Sequence, residues 1–225
     1  MICLVTDRRR LAAAGSSPAD ARRCLIEQVR YAVDAGIDLV QVRERDLEAG
    51  PLAELVVDLL GVTRHSSTRV VVNDRIDVAI ACGADGVHLR GDSIPVGAAR
   101  QLAPEGFLIG RSVHGRDEAV ASGDADYLIA GTVFRSVSKE PSAPLIGIDG
   151  LRGIVEAVDR PVLAIGGINE AQVGAVAAAG AAGFAAIGLF MAEPGDTHAY
   201  GCLATILRHR VTRARARFDR LNTTP

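Results

Sequence analysis

The side chains best suited to chemistry in this sequence stand where short apolar runs stop. Gln41, Arg43 and Arg45 alternate along Gln41-Val42-Arg43-Glu44-Arg45, so on an extended chain all three face one way. Two guanidiniums and an amide on one face can clamp an anionic group. Glu44 faces the other way and suits a structural ion pair. An exposed charged loop is the plainer alternative. Asn73 and Asp74 end the next run. A carboxylate there holds a hard cation through oxygen, with a second carboxylate and phosphate oxygens, or else caps a helix. His88, one run further on, suits a satisfied core histidine. In Gly110-Arg111-Ser112-Val113-His114, Ser112 and His114 share a side if the chain stays extended. A histidine there can move protons on and off carbon near neutral pH, or cap the helix that follows. Ser136, Ser138 and Lys139 place two hydroxyls and a cation on one long loop. Such a loop can close over a phosphorylated ligand, or remain solvated. Gly166-Gly167 and Gly188 would let backbone N–H groups approach a phosphate; two tight turns are the alternative.

The elements that must position these groups are legible as well. Runs rich in Val, Ile and Leu lie near 2–6, 37–43, 69–73, 85–89, 107–111, 126–131, 161–165 and 183–187. They are apolar at every position, as strands covered on both faces are. Helical stripes separate them. Leu25, Val29, Ala32 and Val33 form one behind Ser17 as N-cap and Pro18 in the first turn; Leu52, Leu55, Val56, Leu59 and Leu60 form another. A joint then repeats at Ala35-Gly36-Ile37, Cys82-Gly83-Ala84, Ser122-Gly123-Asp124 and Ala179-Gly180-Ala181, with Gly closing a helix just before the next strand. Alternation of this kind in 225 residues predicts a (β/α)8 TIM barrel, a single domain over 1–225. A doubly wound open sheet is the competing arrangement. Polar strand ends would then collect at the carboxyl-terminal mouth, where barrel active sites lie, with the glycines after strands seven and eight at its phosphate site. Residues from about 198 to 221 predict a C-terminal basic helix, whose arginines suit a solvated helix covering the barrel.

Composition narrows the function classes. A net charge of −2 argues against bulk nucleic-acid binding. Cys3, Cys24, Cys82 and Cys202 are scattered without a C-x-x-C pair, which suits reduced, packed thiols. The first apolar stretch meets Asp7 and three arginines too soon for a signal peptide, and no charge-free stretch reaches membrane-spanning length. A cytoplasmic protein with no membrane and no nucleic-acid partner is expected; a homo-oligomer stays open.

Taken in order, the motifs resemble the superfamily of thiamine phosphate synthase and TenI-type thiazole tautomerase. The pieces are Leu4-Val5-Thr6-Asp7, Gln41-Val42-Arg43-Glu44, Val72-Asn73-Asp74-Arg75, Gly83 to Leu89 and Ala164-Ile165-Gly166-Gly167-Ile168, with the similarity running to about Phe190. The synthase joins a pyrimidine methyl diphosphate to a thiazole phosphate and releases pyrophosphate, using Mg²⁺ held by two aspartates. Carried over by motif, the resemblance implies a diphosphate clamp of Gln41, Arg43, Arg45, Asn73 and Lys139, loop hydroxyls Ser136 and Ser138, and Asp74 as metal ligand. Synthases usually follow Val-His-Leu with Gly-Gln-x-Asp; here Arg90-Gly91-Asp92-Ser93 puts Ser93 at the second metal position, where a hydroxyl is a weaker magnesium ligand than a carboxylate. Gly188 also stands where the synthases carry Ser.

The tautomerase branch tolerates those losses. It shifts a proton to give an aromatic carboxythiazole phosphate, needs no metal, and works through a histidine in a segment like Gly110 to His114. On that ground the resemblance implies a thiazole tautomerase without a cofactor, with His114 catalytic and the thiazole phosphate held at Ser112, Gly166, Gly167 and Gly188. The Mg²⁺-dependent synthase is the alternative. A non-catalytic ligand-binding regulator is the third reading, disfavoured because no helix-turn-helix fits beside eight βα units.

Overall fold

A computed structural model describes residues 1–12, 15–135, 144–191 and 201–222 of the chain, without the side chains of 201–202 and 219–222. Eight parallel strands close on themselves in sequence order: β1 Ile2–Val5, β2 Leu39–Val42, β3 Arg69–Asn73, β4 Gly86–Leu89, β5 Leu108–Val113, β6 Tyr127–Gly131, β7 Val162–Ile165 and β8 Gly183–Ala186. The closing pair aligns Cys3 of β1 with Ala185 of β8. The barrel reading therefore holds against the open sheet. β5 runs past its expected end to Val113, because Arg111 to Val113 find ladder partners in Leu128 to Ala130 of β6.

Helices α1 Arg8–Leu11 and α2 Pro18–Asp34 follow β1, and α3 Ala49–Thr63, α4 Ile76–Cys82, α5 Val96–Leu102, α6 Arg116–Val120, α7 Gly147–Val155 and α8 Val173–Ala178 follow the next six strands. A 3₁₀ turn, Gly188–Phe190, and helix α9, Gly201–Asn222, follow β8. Ser17 does cap α2: its hydroxyl accepts from the Asp20 N–H at 3.1 Å while the Asp20 carboxylate accepts from the Ser17 N–H, a reciprocal capping box. At the repeated joint, Gly83 closes α4 with φ 68°, a left-handed turn that disfavours any side chain.

Two apolar layers result from the period-2 alternation of each strand. Outward residues such as Leu4, Val40, Val72, Val87, Ile109, Leu128 and Phe184 pack under the helices. Inward residues Cys3, Val5, Leu39, Val71, Tyr127, Ile129, Leu163 and Ala185 fill the barrel itself. Cys3, Cys24 and Cys82 form no disulfide among the described residues, and burial pushes the Cys3 thiol up to about 12. Helix α9 packs against α2, α8 and the 3₁₀ turn, burying Leu207, Val211 and Ala214. Among the described residues no helix is long and apolar enough to cross a membrane.

Candidate active site

The inward alternation that fills the barrel with apolar side chains turns polar at its carboxyl end. Gln41 follows Leu39 on the inner face of β2, Asn73 follows Val71 on β3, and His88 and Ser112 occupy the same level on β4 and β5. Gln41 Nε2 donates to Asn73 Oδ1 at 2.9 Å, yet Gln41 Oε1 is buried without a hydrogen-bond donor among the described residues. His88 is a satisfied core histidine, as its lone position predicted: Nε2 lies 2.8 Å from Ser112 Oγ and Nδ1 3.3 Å from the Tyr127 hydroxyl. Burial, with a smaller contribution from Arg111, pushes its pKa down to about 3, so the ring is neutral. Gly110 has to be a glycine here, since a Cβ would overlap both Tyr127 and His88.

Above this floor opens a cavity of about 1020 Å³, at the large end of small-molecule sites. One end is cationic. Arg43 continues the inward face of β2, is half-buried, and makes no side-chain hydrogen bond or ion pair among the described residues. Burial, and then the neighbouring charge of Arg45, hold its pKa below the usual arginine value; Arg90 adds to that while Asp7 and Glu44 offset part of it. Arg45 is exposed at the same end. Glu44 turns away, as its alternation predicted, and its buried carboxylate takes the Arg8 guanidinium at 2.8 Å. Arg8 also pairs with Asp46 at 2.7 Å, so the first and second strand ends are tied together.

Asp74 lies beside this end with φ 62°, a left-handed backbone for a residue with a side chain. It does not cap α4, whose N-cap is Arg75 with no side-chain cap bond. Its carboxylate instead accepts from the Ser93 hydroxyl and lies 3.6 Å from Arg90, which is also paired with Asp92. The opposite end of the cavity is lined by Gly166, Gly167 and Gly188. Gly166 and Gly167 have φ of 104° and 61°, and a Cβ on either would overlap Thr132 or the Arg135 backbone. A Cβ at Gly188 would stand 3.8 Å from the Arg10 guanidinium and, chain neighbours aside, meet nothing else within 4 Å among the described residues.

Gln41, Arg43, Arg45, Asn73, Ser112, Gly166, Gly167 and Gly188 thus share one cavity. His114 also lines this cavity, from an exposed position. It lies just past the end of β5, its side chain is 55% exposed, and both its N–H and its ring face Glu118 in the first turn of α6. Ser136, Ser138 and Lys139 lie outside the described residues. Sequence reasoning gave no role to Arg10, Arg90, Thr132, Glu170 and Arg210, which also line the cavity. Arg10 and Arg90 follow strand ends and were open to the same argument as Arg43. Arg210 carried no such signal, because it sits on a helix read as a solvated cover.

A profile of the family described as thiamine monophosphate synthase matches residues 10–190. The chain is 40% identical over 194 residues to the thiamine-phosphate synthase of Methanoregula boonei, across 85% of this chain and 88% of that one. It is 42% identical over 189 residues to that of Methanoculleus marisnigri, across 83% and 88%. A solved structure of thiamine phosphate pyrophosphorylase from Pyrococcus furiosus superposes with a TM-score of 0.76 at 34% identity, covering 95% of this chain and 96% of that one.

These similarities overturn the thiazole tautomerase reading and with it the isomerase role given to His114. That reading rested on two departures from the synthase pattern, and neither disrupts the pocket. Ser93 keeps an oxygen donor against Asp74, and Gly188 lines the cavity with the Arg10 guanidinium in van der Waals range of where its Cβ would stand. By sequence and by fold, this chain belongs to the thiamine monophosphate synthase family.

Proposed function

We propose that the protein couples a pyrimidine methyl diphosphate to a thiazole phosphate and releases pyrophosphate. The observation that carries this is Arg43, a half-buried guanidinium without a carboxylate partner among the described residues, in a cavity large enough for two substrates. A buried cation without a counter-ion is unfavourable until an anion arrives, and a diphosphate supplies one. Arg43 and Arg45 hold its oxygens, and Gln41 with Asn73 fixes the clamp from below. The unfilled Gln41 Oε1 accepts from a ligand N–H, which an aminopyrimidine ring offers.

In the reaction the bond from the methylene carbon to the diphosphate oxygen breaks, and a bond from the thiazole ring nitrogen to that carbon forms. Pyrophosphate leaves with the bonding electrons, so negative charge grows at the cationic end, where preorganised donors stabilise it most. The neutral His88 and Ser112 lie beneath, adding no competing charge. The thiazole phosphate occupies the far end, at the cup of Gly166, Gly167 and Gly188. Lys139, Ser136 and Ser138 remain proposed contributors to the clamp by resemblance alone.

The family implies magnesium, and the residues present fit it. Among the described residues no group of three or more His, Cys, Asp or Glu side chains gathers as a metal site, but Mg²⁺ needs only one or two protein ligands when phosphates complete its shell. Asp74 and the Ser93 hydroxyl in contact with it are such a pair, a carboxylate–hydroxyl set that serves magnesium in other phosphate-handling sites. When bound there, the ion would neutralise charge on the departing diphosphate.

The test is an assay of the purified protein with hydroxymethylpyrimidine diphosphate and thiazole phosphate, with and without Mg²⁺. Formation of thiamine phosphate with equimolar pyrophosphate is expected. Absence of coupling under both conditions would overturn the proposal.

A further inference from the structure

The far end of the cavity holds cations of its own, and they differ in how far they are already committed. Arg210 of α9 is largely buried, 15% exposed at its side chain. Its Nη1 donates to the Leu189 carbonyl at 2.7 Å and to the Met191 carbonyl at 2.9 Å, and its Nε lies 3.7 Å from Glu170. Glu170 is in turn paired with Arg213 at 3.2 Å. Those charges are spent on holding the cup together. Arg10 is not. It lines the cavity, and its guanidinium makes no hydrogen bond or ion pair among the described residues. Among the described residues, chain neighbours of Gly188 aside, its Nη2 is the one atom within 4 Å of the place a Gly188 Cβ would take.

The base that presents Arg10 is fixed. Helix α1 is pinned through its first residue, Arg8, whose N–H donates to Glu44 at 3.1 Å and whose guanidinium pairs with Glu44 and Asp46. The Arg10 N–H also closes on the Asp7 carbonyl at 3.1 Å. A phosphate monoester near neutral pH carries between one and two negative charges. Backbone N–H groups supply dipoles but no net charge. A planar guanidinium donates two parallel bonds to phosphate oxygens, so Arg10 supplies what the glycine cup lacks.

We propose that Arg10 is a further substrate-binding residue, which grips the phosphate of the thiazole substrate and so sets the preference for the phosphorylated thiazole over its free alcohol. The proposal rests on the two-substrate reading above. The sequence places Arg10 among three consecutive arginines after β1, and only barrel closure, with β8 beside β1, sets it against Gly188.

The experiment compares wild type, Arg10→Ala, Arg10→Lys and Arg43→Ala, each checked for an unchanged circular dichroism spectrum. Calorimetry with thiazole phosphate alone should show at least tenfold weaker binding for Arg10→Ala, with part of the affinity regained in Arg10→Lys. In the coupling assay, the ratio of kcat/KM for thiazole phosphate to that for the thiazole alcohol should fall at least tenfold in Arg10→Ala. In Arg43→Ala both reactions should slow together and the ratio should stay as in wild type. Equal thiazole phosphate affinity in wild type and Arg10→Ala overturns the proposal, as does an unchanged specificity ratio. If wild type binds thiazole phosphate through Arg10 yet couples nothing, the synthase reading fails and the Arg10 assignment stands.

Discussion

Arg43 and His88 represent two ways of using a titratable side chain in one pocket. Arg43 keeps its charge despite burial and neighbouring cations because a guanidinium does not deprotonate in proteins, and no carboxylate pairs with it directly among the described residues. Arg43→Ala should therefore lower kcat/KM for coupling by about 10² or more, since hydrogen bonds to charged groups contribute about 1.5–3 kcal/mol. Pyrophosphate release with varied pyrimidine diphosphate measures it, and a loss below threefold would remove Arg43 from the clamp. His88 surrenders its charge instead. Its folded pKa of about 3 lies below the unfolded value, so between about pH 3 and 6.5 the unfolded chain binds the extra proton. Stability should fall as pH drops through that window, by up to about 1.4 kcal/mol per pH unit from this residue. Urea unfolding at pH 7 and pH 5 should show this fall for wild type, and a visibly smaller one for His88→Gln. Equal pH dependence of the two proteins would mean that His88 titrates normally.

At the scale of elements, the site depends on loops tied to each other more than on any helix. Helix α1 is a single turn and is held by Arg8, whose partner Glu44 is 5% exposed. Burial raises the Glu44 pKa, and the hydrogen bonds from Thr6 and Arg8 oppose that. Removing Arg8 leaves a buried carboxylate without its counter-ion, which typically costs about 3–5 kcal/mol. Arg8→Ala should show that loss in urea unfolding at pH 7. If the midpoint barely moves, the loop between β1 and α1 is anchored by something other than this pair. On the other side of the mouth, the 3₁₀ turn is held from α2 by Gln28, whose Nε2 donates to the Phe190 carbonyl at 2.9 Å, and from α9 by Arg210. The geometry of the glycine cup is therefore set in part by side chains from two helices of the outer ring.

For the whole molecule, α9 completes the ring of helices by sealing the gap between α8 and α2. It lies beyond the stretch matched by the family profile, residues 10–190. It is nevertheless core, with Leu207 and Val211 both 0% exposed and Phe218 stacked on Phe184 at 6.2 Å. Leu207→Ala should cost about 2–5 kcal/mol, the range for a leucine truncated in a packed interior. A denaturant midpoint within error of wild type would show that α9 only rests on the barrel. The basic face expected from the sequence is present as well: Arg215 pairs with Asp38 at 2.7 Å and Arg213 with Glu170, so these charges bind the helix to its neighbours.

Strand number, inward-facing residues and the clamp side of β2 were all legible in the sequence, because strand alternation and helical spacing are local properties of the chain. Gln41 and Arg43 face the cavity, and Glu44 faces Arg8, as the alternation alone required. The choice between two chemistries was not legible that way. Ser93 and Gly188 looked like losses when compared position by position with a pattern. In three dimensions Ser93 lies against Asp74, and Gly188 lies beside the Arg10 guanidinium. His114 lines the cavity with Ser112, on the side its alternation required, although β5 ends at Val113 and the His114 N–H turns to Glu118. The roles of Arg10 and Arg210 depend on contacts between segments far apart in the chain, made only when β8 closes on β1 and α9 folds over the seam. Local periodicity determines which way a side chain points. Closure of the barrel determines what it meets there.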